Sequence, residues 1–554
     1  DISSTKIREN IDNHRDISSL IDPVVQEYIY HKGMYLREPE FKPILRAKAI
    51  AFENAAGRDR EVLDELGNTV LYGHPDAQAI LTKIQVENDR LLILRNTVEG
   101  ERPAGFVSYR EIGNEDLFGV LKDMELAKLV RGKSSREILL ITGIYAREDG
   151  TGDSGVIRDA PQQLLVEVLA KELEKNYSFA LFVAERGTAT KEVVYVLERQ
   201  GFIRPHMADE NDKRTIYMVD MHEPLMFLHN LDTTIKEPFA SNPAVLDAVE
   251  KNHKKLQIAM TKLYPGNLVL SLSSGIMYHR LVDRITALND VPREPLVPRR
   301  LGKNMCVPFG KILRGKVVPN TVTKTLHTDK VYEPDLNSFT IEPFPYYSPL
   351  KSQIETIKSF DRPVILVDDL VHTANRLQVL VPQLREDGIP IKKVVVGVLS
   401  GYGRDLMQCL KVPVESIYSM PNLRQWFVES TLYPFIGGDT VRREEMKVAG
   451  LQPSINMILP YATPRLSGCS REALVEFSAC CIENSRDLFQ VLEAEYRKMY
   501  AKNLTLSRLS EAVILPLCPD KGSCMEYDEN LAASVYLEND LETLWRMKEF
   551  LIKG

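Results

Sequence analysis

The segment VILVDDLVHTANR, running from Val364 to Arg376, decides how the rest of the chain is read. Its first four residues are apolar and unbroken, the pattern of a strand buried on both faces. Asp368 and Asp369 stand at the strand's end, and a short loop then leads into a helix. Such a strand–turn–helix presents free backbone N–H groups at a helix N-terminus, where amides and dipole together hold a phosphate. Thr373 adds a hydroxyl and Arg376 a fixed positive charge, while two adjacent carboxylates can accept hydrogen bonds from vicinal sugar hydroxyls. The combination suits a sugar phosphate. The plainer reading is an acidic pair capping a helix in any doubly wound sheet. Pro382 falls inside the helix and should kink it.

Outward from this segment the pattern is strand and helix in alternation. Asn267–Leu272 reads as a strand, Met277–Arg284 as a helix, and Pro363–Val367 and Lys393–Leu399 as further strands. That order predicts a parallel sheet with ligands at the carboxyl ends of its strands. Ser273, Ser274 and Gly275 form the turn after the first of these strands. The proline-rich stretch from Val291 to Tyr347 is either a hairpin flap or a mobile loop.

The acidic segment resembles the PRPP-binding signature of type I phosphoribosyltransferases. It departs from that signature at His372, where a small residue is usual, at Asn375, commonly Gly, and at Arg376, which replaces a second Thr or Ser. The resemblance covers Gly266 to Asp439. It implies displacement of pyrophosphate from PRPP, with Mg²⁺ bridging pyrophosphate and ribose and touching the protein at most through Asp368 and Asp369. These two aspartates would hold the ribose hydroxyls. His372, Thr373, Ala374, Asn375 and Arg376 would cradle the 5′-phosphate, and Ser273, Ser274 and Gly275 would form the pyrophosphate loop. Lys311, Arg314, Lys316 and Lys324 are candidate cationic contacts, each also readable as part of a solvated face. Trp426, Tyr433, Phe435 and Asp439 would stack on and read a nucleobase, although such aromatics are more often core.

Nearer the N-terminus a second α/β pattern stands apart. RLLIL (Arg90–Leu94) and AGFVSY (Ala104–Tyr109) read as a hairpin and Asp116–Leu129 as a helix. EILLITGIY (Glu137–Tyr145) reads as a long strand. Arg147, Gly150 and Gly152 fit R-x-x-G-x-G, a turn whose amides can close on a pyrophosphate. A helix near Gln162–Leu173, the strand FALFVA, a helix over Lys191–Arg199 and a last strand at Thr215–Met221 follow. This order, with Leu197-Glu-Arg-Gln-Gly-Phe202, resembles the GNAT acetyltransferase family, and the resemblance implies acetyl-CoA as cosubstrate. Two readings of the glycine turn stay open: an insertion before the helix, or a true turn at Gly155–Ala160. Leu197 occupies the place of the tyrosine that commonly protonates the departing thiolate. Tyr195, two residues away on the helix, points elsewhere.

The 554 residues are enough for about three to four domains. The expected architecture is α/β: a helical segment over 1–75, a GNAT-like mixed sheet over 76–222 and a helical connector over 223–265. A doubly wound, parallel-sheet phosphoribosyltransferase-like unit over 266–440 and a helical region over 441–554 complete it. With 70 Lys and Arg against 77 Asp and Glu, the net charge of −7 argues against long nucleic-acid partners. Amide-built nucleotide sites need no net positive charge. No stretch is apolar enough to span a membrane, and seven cysteines without a C-x-x-C pair fit a reducing cytoplasm. The chain opens on Asp1 and not Met, which leaves a removed leader open. His206, His222 and His279 lack metal-ligand spacing, and Cys480-Cys481 reads as a core-facing pair of thiols. The expected partners are small molecules, with a homodimer allowed. The functional expectation is PRPP-dependent transfer to a small acceptor, fused to acyl-CoA-dependent acylation. The alternative is a regulatory protein whose two nucleotide folds sense ligands without turnover.

Overall fold

A computed structural model describes residues 50–553 apart from 97–100, 135–136, 148–158, 186–188, 207–213, 297–299, 311, 314–315, 345–346, 444–447, 449, 465 and 522–525. Before residue 50 it describes 3–12, 17, 20–22, 24–25 and 28–29. Among the described residues, three sheets organise the chain. The first contains β1 (Ile50–Ala56), β2 (Arg90–Asn96), β3 (Arg102–Ile112), β4 (Ile138–Ala146), β5 (Phe179–Ala184), β6 (Thr215–His229) and β7 (Asn267–Ser273). β1 to β4 run antiparallel to their neighbours, β4 and β5 are parallel, and β5 and β6 are antiparallel again. The residues before 76 are thus not wholly helical, because Ile50–Ala56 supplies the edge strand.

β6 is the unusual member. Its first half pairs with β5, where the sequence placed the last strand of this pattern. It then continues through Leu225–Leu228 between two further parallel partners, β7 on one side and Gln425–Val428 on the other. The burial pattern explains this length: residues from Pro224 to His229 are buried without alternation, which only a strand covered on both faces and both edges can satisfy. The boundary expected at residue 266 therefore divides what strand pairing joins.

The second sheet is wholly parallel, in the order β14 (Val414–Met420), β13 (Ile391–Ser400), β12 (Val364–Val371), β8 (Met305–Pro308) and β9 (Val322–Thr323). The third is mixed and joins β11 (Phe339–Pro343), β10 (Thr328–Tyr332), β16 (Asp439–Val441), β17 (Gln452–Ile455) and β18 (Leu517–Pro519). Its last two strands lie in the stretch expected to be helical. β15 is the Gln425–Val428 strand already placed beside β6.

The helices used below are α1 (Ser4–Asp12), α2 (Arg60–Asn68), α3 (Ala77–Glu87), α4 (Leu117–Leu121), α5 (Met124–Lys133), α6 (Ala160–Glu172) and α7 (Lys191–Arg199). Then come α8 (Pro243–Thr261), α9 (Ser274–Leu288), α10 (Leu350–Lys358), α11 (Asn375–Glu386), α12 (Gly401–Cys409), α13 (Arg471–Tyr500) and α14 (Ala533–Lys553). Asn242 caps α8 through Oδ1, which accepts from the N–H groups of Ala244 and Val245, and Pro243 presets the first turn. α6 is buried almost all round, with Leu164, Leu165, Val168 and Leu169 fully so, and it lies between layers rather than on a surface. One apolar core accordingly runs from β2 and β4 through α6 and α9 to Ile365, Val367 and Val395 of the second sheet. A separate core gathers the far half of β6, the third sheet, α8, α13 and α14.

A buried charge sits inside the first of these cores. Glu167 on α6 accepts from the Tyr418 hydroxyl of β14 at 2.8 Å and pairs with Arg280 of α9 at 2.5 Å. Lys171, one turn on, lies 3.1 Å from the same carboxylate. This polar knot bolts the first sheet's helix to the second sheet.

Candidate functional sites: an acidic turn and a splayed strand pair

The acidic turn follows from its strand. Val364 to Val367 are fully buried because β8 and β13 flank β12 and helices cover both faces. Asp368 remains in the ladder opposite Val396 and is only 4 % exposed, whereas Asp369 is half-buried. Oδ1 of Asp368 accepts from the Asp369 N–H at 3.0 Å, and its Oδ2 faces Arg376 Nη1 at 3.9 Å. Burial first, and the neighbouring Asp369 charge second, push the Asp368 carboxyl well above its ordinary range.

Beyond the strand, Ala374 takes a left-handed conformation and α11 begins at Asn375. Asn375 Nδ2 donates to the Thr373 hydroxyl at 2.8 Å, which leaves the hydroxyl proton for another acceptor. Arg376 Nε is buried without a hydrogen-bond partner. These groups face a cleft of about 450 Å³ whose other walls include Trp426 of β15, Asp439 of β16, and Lys330 and Tyr332 of β10. All three sheets thus contribute to it. α11 runs on past Pro382 as one helix.

His372 lines the same cleft. Its Nδ1 is engaged by Ser400 Oγ at 2.8 Å, and its ring packs against Trp426 and Tyr402 at centroid distances of 4.7 and 5.6 Å. Burial lowers its pKa, which favours the neutral ring. Tyr433 and Phe435 are fully buried in the core beneath the third sheet and do not line the cleft. Ser273 ends β7, which is committed to the first sheet, Ser274 and Gly275 open α9, and none of the three lines the cleft either. Lys316 lines a different cavity, Lys324 is fully buried, and Lys311 and Arg314 lie outside the described residues.

The loop that does reach the acidic pair begins after β8. A Cβ built on Gly310 would lie 1.8 Å from Oδ1 of Asp368. The only sequence signal was a glycine after the short apolar run MCVP. Gly310→Ala is expected to rotate the Asp368 carboxylate out of place. Ligand binding at the turn should then fall about tenfold or more while far-UV circular dichroism stays unchanged. Undiminished binding would show that Asp368 needs no such fit. Lys330 and Tyr332 were also missed. They share one face of β10, with the Lys330 ammonium 4.3 Å from the Tyr332 ring centroid.

The second site lies on the first sheet. The β4–β5 ladder covers only Leu139–Ala180, Leu140–Leu181 and Ile141–Phe182, although β4 continues to Ala146 and β5 to Ala184. Between Ser108 and Tyr109 the β3 register skips Thr142, a bulge that turns β4 aside. Thr142 Oγ1 is held there by the buried Asp89 at 2.6 Å, and Asp89 in turn pairs with Arg110 at 2.7 Å. Among the described residues the two parallel strands therefore splay beyond Ile141, and the Ile144–Ala146 end of β4 lines a cleft of about 1000 Å³. Arg147, Tyr145, the first residues of α6 (Ala160, Pro161) and the 68–75 loop line it. The Tyr145 ring lies over Gly143, and burial raises its hydroxyl to about 12.

Arg147 continues the strand, its N–H donating to the Ala104 carbonyl, while Gly150 and Gly152 lie outside the described residues. The helix starts at Ala160, later than R-x-x-G-x-G alone would place it. Leu197 is fully buried, and Tyr195 lies exposed against Arg199, with 4.9 Å between guanidinium and ring, so neither provides a hydroxyl to the cleft.

The strand order from β2 to β6 is the one expected from the sequence, with a bulge in β4 and a parallel β4–β5 ladder of three residue pairs. No family profile matches the sequence, and no curated protein does. Solved structures similar to the chain include a subunit of the NatC complex bound to Gag peptide and CoA, at 11% identity and a TM-score of 0.20, covering 30% of this chain and 96% of that one. Another is FeeM, an N-acyl amino acid synthase from uncultured soil microbes, at 15% identity, 31% and 91% coverage and a TM-score of 0.23. A third is the catalytic domain of the Tetrahymena GCN5 histone acetyltransferase in complex with coenzyme A, at 10% identity, 31% and 93% coverage and a TM-score of 0.21. Among the described residues no helix is long and apolar enough to cross a membrane.

Proposed function

We propose that the chain is an acyl-CoA-dependent acyltransferase whose second unit binds a phosphorylated sugar, PRPP by the chemistry of its acidic turn. The splay between β4 and β5 is the observation that carries the first half. An unpaired strand edge can accept the amides of a pantetheine arm as an added strand, and the N-terminus of α6 at the same cleft suits the pyrophosphate. Polarisation of the thioester carbonyl by backbone N–H groups and attack by an acceptor amine would complete the transfer. The departing thiolate would take its proton from a group other than Leu197 or Tyr195.

For the second half, Asp368 and Asp369 supply carboxylates for ribose hydroxyls, and the amides at the start of α11, Thr373 and the unpartnered Arg376 Nε supply donors for a phosphate. Mg²⁺ favours oxygen donors shared between one or two carboxylates and substrate oxygens, and the two aspartates at the cleft fit that preference. The neutral His372 ring and the buried Leu197 favour a second reading, in which ligands are bound and sensed without turnover.

The test is direct. The full chain should bind CoA by calorimetry and release free thiol from acetyl-CoA over a panel of amines. Arg147→Glu should weaken CoA binding about tenfold or more through charge reversal at the cleft. Binding without thiol release over a broad panel would select the sensing role. Failure of the wild-type chain to bind CoA would sink the acyltransferase reading.

A further inference from the structure

A buried cluster away from both clefts is fixed by strand register. His229, the last residue of β6, pairs with Ser273 at the end of β7. On its other side Leu228 pairs with Val428, so Glu429 emerges next to His229. Three parallel strands thus end side by side, the usual ligand-binding edge of an α/β sheet. α8 crosses these ends and offers His253 and, one turn later, Gln257.

The geometry is close. One ligand atom from each of His229, His253 and Glu429 can be chosen so that all three lie within 4.8 Å of one another. His253 Nδ1 is 2.5 Å from Glu429 Oε1, and His229 Nδ1 is 3.6 Å from Glu429 Oε2. The two imidazole centroids are 4.4 Å apart. Glu429 is wholly buried and His229 is 9 % exposed, yet Glu429 Oε2 and His229 Nδ1 are both without a hydrogen-bond partner.

A protonated His253 accounts for only part of this. It satisfies Oε1 of Glu429 and leaves the other oxygen and His229 Nδ1 orphaned, facing each other at 3.6 Å, too far for a hydrogen bond. One divalent ion between the three side chains would satisfy both orphans. Ligand bonds of about 2.0–2.2 Å in a tetrahedral shell put donor atoms about 3.3 Å apart, close to the His229–Glu429 spacing and reached at His253 by a small opening.

We propose that His229, His253 and Glu429 form a binding site for one divalent transition-metal ion of the zinc class. Two imidazoles and a carboxylate suit zinc better than magnesium or calcium, which take oxygen ligands. Metal on Nδ1 requires the His229 proton on Nε2, which now lies 2.8 Å from Gln257 Nε2. A half-turn of the Gln257 amide presents its oxygen to that proton, giving up a 3.2 Å contact with Arg199, which keeps its ion pair to Asp159. The ion would tie α8 to β6 and to the strand that carries Trp426.

The test uses the full chain, stripped by chelator and titrated with Co²⁺. One equivalent should bind with visible ligand-field absorption, and Zn²⁺ should displace it. Glu429→Gln, isosteric but uncharged, should lower Co²⁺ affinity at least tenfold, while His222→Gln, at a half-exposed histidine elsewhere, should leave it unchanged. X-ray absorption of the zinc-loaded wild type should show nitrogen and oxygen neighbours with two imidazoles, a readout independent of how any variant folds. No stoichiometric metal on the wild type would overturn the site. Equal affinity in Glu429→Gln, or a thiolate shell from Cys480 or Cys481, would do the same.

Discussion

Glu167→Ala is expected to destabilise the chain by about 3–5 kcal/mol, a large effect for a single substitution. The loss has a simple origin. Removing the carboxylate leaves Arg280 beneath the Phe52 and Tyr418 rings without its counter-charge, and it strips the Tyr418 hydroxyl of its acceptor. Arg280 is not free to reach water easily, since its side chain is 23 % exposed. Glu167→Gln keeps the shape and the Tyr418 bond but not the charge, and should fall between wild type and Ala. The measurement is the denaturation midpoint, with Arg280→Met and the double variant completing a cycle. A midpoint unmoved by Glu167→Ala would mean that the two sheets are held by apolar contacts alone.

At the acidic turn, Asp368→Asn is expected to trade binding for stability. The carboxylate is buried beside a second one, and its Arg376 partner stands 3.9 Å away, so the amide should raise stability by about 1 kcal/mol at neutral pH. Because the folded pKa of Asp368 lies above its ordinary 3.8, the protonated acid is free of penalty at low pH. Wild-type stability is then lost relative to the variant as pH rises from about 3.8 through the folded pKa, and the gap is constant above it. Asp369 on the same strand, Arg376 from α11 and the Gly310 backbone are the groups that set this window. On the proposed reading of the turn, binding of PRPP with Mg²⁺ should weaken about 10–100-fold, the worth of one hydrogen bond to a charged acceptor. A variant that is both less stable and fully able to bind would contradict the account of a strained, ligand-facing carboxylate.

Much of the local structure was legible because its causes are local. VILV formed the doubly covered strand its unbroken apolar run predicts, and the expected helical connector holds α8, opened by Asn242 and Pro243. The acidic turn likewise announced itself through residues adjacent in sequence. What escaped was set by long-range pairing. Asn267–Leu272 looks like the first strand of a new sheet, and nothing within it says that its partner is the end of β6. Trp426 and Phe435 are equally aromatic in sequence, yet one lines the cleft and the other packs edge-on against Phe489 and Tyr527. His229, His253 and Glu429 have no common spacing because two strands and a helix bring them together. Gly310 mattered only once Asp368 was found beside it.

β6 carries a final consequence. Multifunctional chains are often pictured as beads on a string, each swinging on its linker. Here the string is itself a shared strand: β6 pairs with β5 over Thr215–Asp220, leaves the ladders over 221–224, and then runs between β7 and Gln425–Val428 at the wall of the acidic cleft. A cut at residue 265 would part β7 from the strand it pairs with and leave each piece with an unpaired sheet edge.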